Sequence, residues 1–198
     1  MVFNALRSNI HVKDDVFNEI YPPHIKELAQ RHWTPVDVAR MAAEYLAESP
    51  NCKVLDIGAG AGKFCLVGAA CTDGMFYGVE QRESLTKLST KIARNNGINN
   101  VEFIHSNINR IEFTDFDSFY FYNSFYENID TSCPIDKNVH FEEDLFHTYS
   151  NYVRDQLDRT PIGTRVVTYW SNWDEIPKSF DLKHSAYNGL LNFWWKIA

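Results

Sequence analysis

The chain has 198 residues, 44% hydrophobic and 15% aromatic, which suits one folded domain with a substantial core and excludes wholesale disorder. Its net charge of −7 argues against a protein that holds nucleic acid mainly by neutralising phosphates, though it leaves room for a local basic patch. The N-terminal stretch is too polar for a signal peptide and no apolar run reaches membrane-spanning length, so the expected setting is cytoplasmic, with no membrane partner. Cys52, Cys65, Cys71 and Cys133 form no C-x-x-C pair and read as reduced, mostly buried thiols.

Residues 14–49 read as helical. VFNEIY runs into a Pro22-Pro23 break and HIKELAQRH follows. A helix then restarts with Thr34 as N-cap and Pro35 at the first helical position. After Ser49-Pro50 the texture changes, and β-rich runs alternate with helical ones. KVLDIG (53–58), MFYGVE (75–80), VEFIHSN (101–107), FDSFYFYN (116–123) and TRVVTYW (164–170) read as strands. GKFCLVGAAC, RESLTKLSTKIARNNG and a segment around 140–159 read as the helices between them. Such alternation predicts an α/β fold, a mostly parallel sheet with helices on both faces. The tail reads as two strands joined at Asn188-Gly189, an antiparallel terminal hairpin. The chain thus divides into a helical cap segment, 1–49, and a ligand-binding domain, 50–198.

The first strand breaks into glycines at Gly58, Gly60 and Gly62. A glycine turn between strand and helix brings backbone N–H groups against something polar or anionic: a dinucleotide, a nucleotide phosphate or S-adenosylmethionine (SAM). The dinucleotide pattern G-x-G-x-x-G needs its third glycine where this chain has Lys63. A phosphate-binding P-loop needs a hydroxyl after Gly62-Lys63, and Phe64 stands there. The next strand ends in Glu80, placed as an acid that accepts hydrogen bonds from ribose hydroxyls.

On D-I-G-A-G-A-G (56–62), G-V-E-Q (78–81) and H-S-N-I (105–108), the chain resembles the class I Rossmann-like SAM-dependent methyltransferases over residues 30 to 198. The resemblance implies a seven-stranded sheet, SAM as cofactor and S-adenosylhomocysteine as product. It implies that Gly58, Ala59, Gly60 and Gly62 lie against SAM and that Asp56 orients the loop or reaches the SAM ammonium through water. It further implies that Glu80 holds the ribose, with Gln81 beside the adenine, Asn107 accepting from the adenine amino group and Ile108 against the ring. Trp33-Thr34-Pro35 is similar to a segment of amino-group methyltransferases in which the hydroxyl meets the SAM carboxylate; an ordinary helix cap is the competing reading of Thr34.

At the end of the fourth strand, Asn123-Ser124-Phe125-Tyr126 is similar to the Asn/Asp-Pro-Pro-aromatic stretch that holds a target amine in that family, with Ser and Phe replacing both prolines. Asn123 and Tyr126 are therefore the expected catalytic residues. An Asn-Asn-Phe stretch in Rossmann-type histone-lysine methyltransferases is a second parallel. The acceptor, whether protein, nucleic acid or small molecule, is not named by the residues.

A nicotinamide-dependent oxidoreductase and a non-catalytic SAM-binding scaffold are the alternatives. His140 and His147 share a helix face without a ligand pattern, so no metal is expected. Lys87, Lys91 and Arg94 read as a solvated face, and Phe193-Trp194-Trp195 as core and hairpin edge. Residues 127–140 read as a substrate lid. Residues 1–33 are expected to cover the SAM end of the sheet, so that removing residues 1–30 weakens SAM binding more than folding.

Overall fold

Prolines and turns divide the N-terminal segment into short helices. In the computed structural model, which describes residues 2–136, 138–139, 141–171, 173 and 175–198, these are α1 (Val2–Arg7), α2 (Asp14–Asn18), α3 (Pro23–Glu27), α4 (Ala29–His32) and α5 (Val36–Leu46). The first of them was not legible as a helix in the sequence. Thr34 does not cap α5. Pro35 occupies the N-cap, and Asp14 of α2 accepts the Val36 N–H at 3.1 Å from 22 residues away. The Thr34 hydroxyl instead lies buried, 3.0 Å from the Tyr120 hydroxyl.

Beyond α5 the order is β1 (Lys53–Ile57), α6 (Lys63–Cys71), β2 (Met75–Glu80), α7 (Glu83–Asn95), β3 (Val101–His105), β4 (Ser118–Tyr122), α8 (Glu143–Asp158), β5 (Arg165–Tyr169), β6 (Phe180–Ala186) and β7 (Leu191–Lys196). The strands form one seven-stranded sheet in the order β3-β2-β1-β4-β5-β7-β6. Strands β1 to β5 pair in parallel, while β7 runs antiparallel to both β5 and β6. Strands β1, β2, β4 and β5 are almost wholly buried, as parallel strands covered on both faces must be. The hairpin turns through Tyr187, Asn188 and Gly189, all left-handed.

Alternation along each strand feeds two cores. Val54 and Tyr120 face one, with Phe64 and Phe76; Leu55, Ile57, Phe119 and Phe121 face the other, under α8. Phe193 and Trp194 are buried on opposite faces, as core residues of the hairpin. The N-terminal segment belongs to the first core: Phe3, Leu6, Phe17, Tyr21 and Ile25 are all buried in it. Deleting residues 1–30 would therefore uncover the core along with any effect on SAM binding, so a thermal melt must accompany that test.

Candidate functional site

The sheet order reverses between β1 and β4, with β2 and β3 on one side and β5 on the other. Open α/β sheets bind ligands at such a switch, outside the carboxyl ends of the strands. A cleft of about 660 Å³ opens there, within the range of roughly 300–1,000 Å³ typical of small-molecule sites. Eight of the twelve residues singled out in the sequence line it: Gly58, Gly60, Glu80, Gln81, Asn107, Ile108, Asn123 and Tyr126. Thr34, Asp56, Ala59 and Gly62 do not line it, and their surroundings explain why.

The glycine loop is shaped by what packs behind it. Gly58, Gly60 and Gly62 all have left-handed backbone, at φ of +77°, +53° and +75°. A Cβ at Gly58 would strike Ser124, and one at Gly60 would strike the Trp33 indole. Bare backbone is thus required both by conformation and by close approach. The Ala59 N–H is already given to the Val79 carbonyl at 2.8 Å, and Gly62 is the N-cap of α6.

Glu80 closes the loop from the end of β2. Its Oε2 accepts the Gly60 N–H at 2.9 Å and its Oε1 accepts the Arg82 N–H at 2.8 Å. Burial pushes its carboxyl up, against the pull of the Arg82 charge and of both N–H groups. A carboxylate has about four acceptor positions, so two remain for hydroxyl groups of a ligand.

Asp56 sits one layer deeper. Burial pushes its carboxyl from 3.8 up to about 8, and its nearest polar partner is the Cys65 thiol on α6, 3.5 Å away. Its place is the interior between β1 and α6, and it does not line the cleft. A folded-state pKa above the unfolded one contributes stability that is whole below the unfolded pKa and is lost as pH rises through the folded one. The melting temperature is therefore expected to fall between about pH 4 and pH 8. Asp56→Asn should flatten that fall; equal slopes in thermal melts of both proteins would refute it.

Asn107 has both ends of its amide engaged. Its Nδ2 donates to the Tyr149 hydroxyl at 2.8 Å, and its Oδ1 accepts the Asn109 N–H at 3.2 Å. One lone pair of that oxygen stays available. Gln81 is held through its carbonyl, 3.1 Å from His105 Nε2.

At the end of β4 the two residues that replace prolines have structural tasks. The Ser124 hydroxyl donates to the Ile57 carbonyl, tying β4 to β1, and Phe125 is buried against Phe121 and Tyr149. Asn123 takes a left-handed backbone, φ +43°, and its side-chain amide has no hydrogen-bond partner among the described residues. Tyr126 is 40% exposed.

Sequence reasoning missed two clusters around this cleft. Lys63, recognised only as a lost glycine, is buried, and its ammonium is held by Asp14 and, at 3.0 Å, by Asn18 Oδ1. This pins α2 beside the glycine loop, whose Ala61 carbonyl also accepts the Tyr21 hydroxyl at 3.2 Å. Asp14→Ala leaves a buried ammonium with one partner, an expected cost of about 1–3 kcal/mol in chemical denaturation. Adding Lys63→Met should recover most of it, because an apolar replacement removes the unpaired charge. A double variant no more stable than the single one would place the cost in the lost cap on Val36.

The second missed cluster centres on Arg82, buried between Glu80 at 3.6 Å, Glu127 at 3.0 Å and Asp136 at 3.3 Å. Glu127 in turn accepts the Ile135 N–H at 2.8 Å, so the loop after β4 is tied to the end of β2. His140 lies outside the described residues; among those described, no group of three or more His, Cys, Asp or Glu could hold a metal ion. All four cysteines are free, and no described helix is long and apolar enough to cross a membrane.

A family model described as a methyltransferase domain matches residues 48–155, more than half of the chain. The chain belongs to that methyltransferase family. The fold of this methyltransferase is similar to that of TrmN from Thermus thermophilus, with TM-score 0.56 and 20% identity, covering 85% of this chain and 50% of that one. An RNA methyltransferase from Salinibacter ruber in complex with S-adenosyl-L-homocysteine gives 0.58 and 18%, over 83% and 92% of the two chains. An rRNA methylase from Streptococcus thermophilus gives 0.52 and 16%, over 82% and 94%. The chain spans half the length of the Thermus protein. No curated protein matches it.

SAM is the cofactor of this methyltransferase, and the donor set of the cleft fits it. A buried carboxylate with spare acceptor positions, a side-chain amide and an apolar Ile108 lie along the β1–β3 end. Those are the groups a ribose and an adenine ring require.

Proposed function

We propose that this methyltransferase transfers the methyl group to a nitrogen, with Asn123 as the residue that orients it. The observation that carries the reading is the Asn123 amide, unpaired among the described residues and lining the cleft next to the glycine loop. The amide oxygen accepts an N–H of the target and so turns the nitrogen lone pair toward the methyl group. Tyr126, exposed beside it, lies against the target. Glu80 takes the ribose hydroxyls, Gln81, Asn107 and Ile108 take the adenine, and the backbone of Gly58 and Gly60 borders the rest. Ala59 and Gly62 support the loop from behind.

SAM supplies an electrophilic methyl on a sulfonium: nitrogen's lone pair makes the new bond, the S–C pair stays on sulfur, and nitrogen's proton leaves to water. Catalysis therefore asks this chain for alignment more than for acid–base chemistry. The Thr34 hydroxyl and the Asp56 carboxyl have no part in this, since both are buried against protein partners.

Isothermal titration with SAM and S-adenosylhomocysteine is the first test, and saturable heat with both is expected. NADH binding without SAM binding would return the oxidoreductase alternative. SAM binding without methyl transfer to any fraction of cell extract would return the scaffold.

A further inference from the structure

The β4–β5 end of the cleft is built from aromatic rings and paired charges. Tyr122 and Tyr169 are register partners, with ring centroids 4.9 Å apart. Each is followed by a residue in left-handed conformation, Asn123 at φ +43° and Trp170 at φ +52°. A bulky side chain is rarely found there. The Trp170 N–H is held by the Leu190 carbonyl at 2.9 Å, and its indole lines the cleft while 54% exposed.

The two arginines that line the cleft both have acidic partners. Arg31 lies 2.8 Å from Asp130, and Arg82 is enclosed by Glu80, Glu127 and Asp136. His32 stands 3.1 Å from the Cys133 carbonyl, which can only accept, so its Nε2 carries the proton. Burial lowers the His32 pKa, which favours the neutral ring. The lining acids are Asp14, Glu80, Glu127 and Asp130. A phosphodiester chain would meet no unpaired cation here among the described residues, and phosphate contacts supply most of the affinity of nucleic-acid binders. An amine meets the opposite: four lining acids against two arginines, aromatic faces that attract a cation, and an amide to take its N–H once the ammonium has given a proton to water and freed its lone pair.

We propose that the acceptor is an amine on a basic or uncharged substrate, seated against Tyr126 and Trp170 and oriented by Asn123, and not a base of a nucleic acid. This rests on the nitrogen reading above. The experiment offers the purified protein SAM with a tritiated methyl group and one of three probes: poly-L-lysine, spermidine or a transcribed RNA. Label in an amine probe is expected, and the first two arms tell a polymer-borne amine from a free one. Trp170→Gly, which suits the left-handed backbone, should raise the KM for that amine about tenfold with the SAM Kd unchanged. Label on RNA nitrogen, no label in either amine while SAM is bound, or an unchanged KM in Trp170→Gly would overturn the inference. Label found by mass spectrometry on oxygen or carbon would overturn the nitrogen reading itself.

Discussion

Glu80→Ala should weaken SAM binding by at least about a hundredfold in calorimetry. On the proposed ribose role, two hydrogen bonds from ribose hydroxyls to a charged acceptor would be lost, each worth roughly 1.5–3 kcal/mol, and about 1.4 kcal/mol is one decade in affinity. The geometry adds a second loss. The same carboxylate receives the Gly60 and Arg82 N–H groups, so its removal frees the glycine loop and leaves two buried donors unpaired. Glu80→Gln should not restore binding, because one of its two ends must then offer an NH₂ to a backbone N–H. A Glu80→Ala protein that bound SAM as tightly as the wild type would remove Glu80 from the cofactor site. Thermal melts run beside the titration separate this from unfolding, since Arg82 keeps Glu127 and Asp136 in the variant.

The two sides of that carboxylate also mark where the sequence is informative and where it is not. That an acid ends β2 after an apolar run is a local fact, readable from MFYGVE alone, and the strand has those bounds in the structure. The same holds for β1 and its glycines, and for the hairpin at Asn188-Gly189. Parallel strands buried on both faces must be continuous apolar runs, and their ends must turn. Partnerships across the chain leave no such trace. Lys63 reads as a missing glycine until Asp14 and Asn18 are brought to it across 49 and 45 residues. Thr34 reads as a cap because Thr before Pro is a good local cap, yet Asp14 supplies the hydrogen bond from another helix. Asp56 reads as a cofactor residue because the resemblance runs through D-I-G-A-G-A-G, while strand alternation turns its carboxyl inward toward Cys65. Arg82 followed the singled-out Glu80 and Gln81 without remark, and only the return of residues 127 and 136 over β2 makes it a tie.

Asn123 should fail in the complementary way. Asn123→Ala is expected to leave the SAM Kd within about twofold and to lower kcat about a hundredfold, the usual scale for a lost alignment of reacting groups. Alanine, however, also disfavours the left-handed backbone at φ +43°, at about 1–2 kcal/mol. A drop in activity in that variant alone could therefore come from a shifted β4 end. Asn123→Gly resolves this, because glycine accepts the conformation and removes only the amide. If the amide orients the target, both variants lose kcat to a similar extent, and Asn123→Asp, which keeps an acceptor oxygen, retains more activity than either. Should Asn123→Gly turn over at the wild-type rate, asparagine would be there for its backbone alone, and the orienting role would pass to Tyr126 and the strand-end carbonyls.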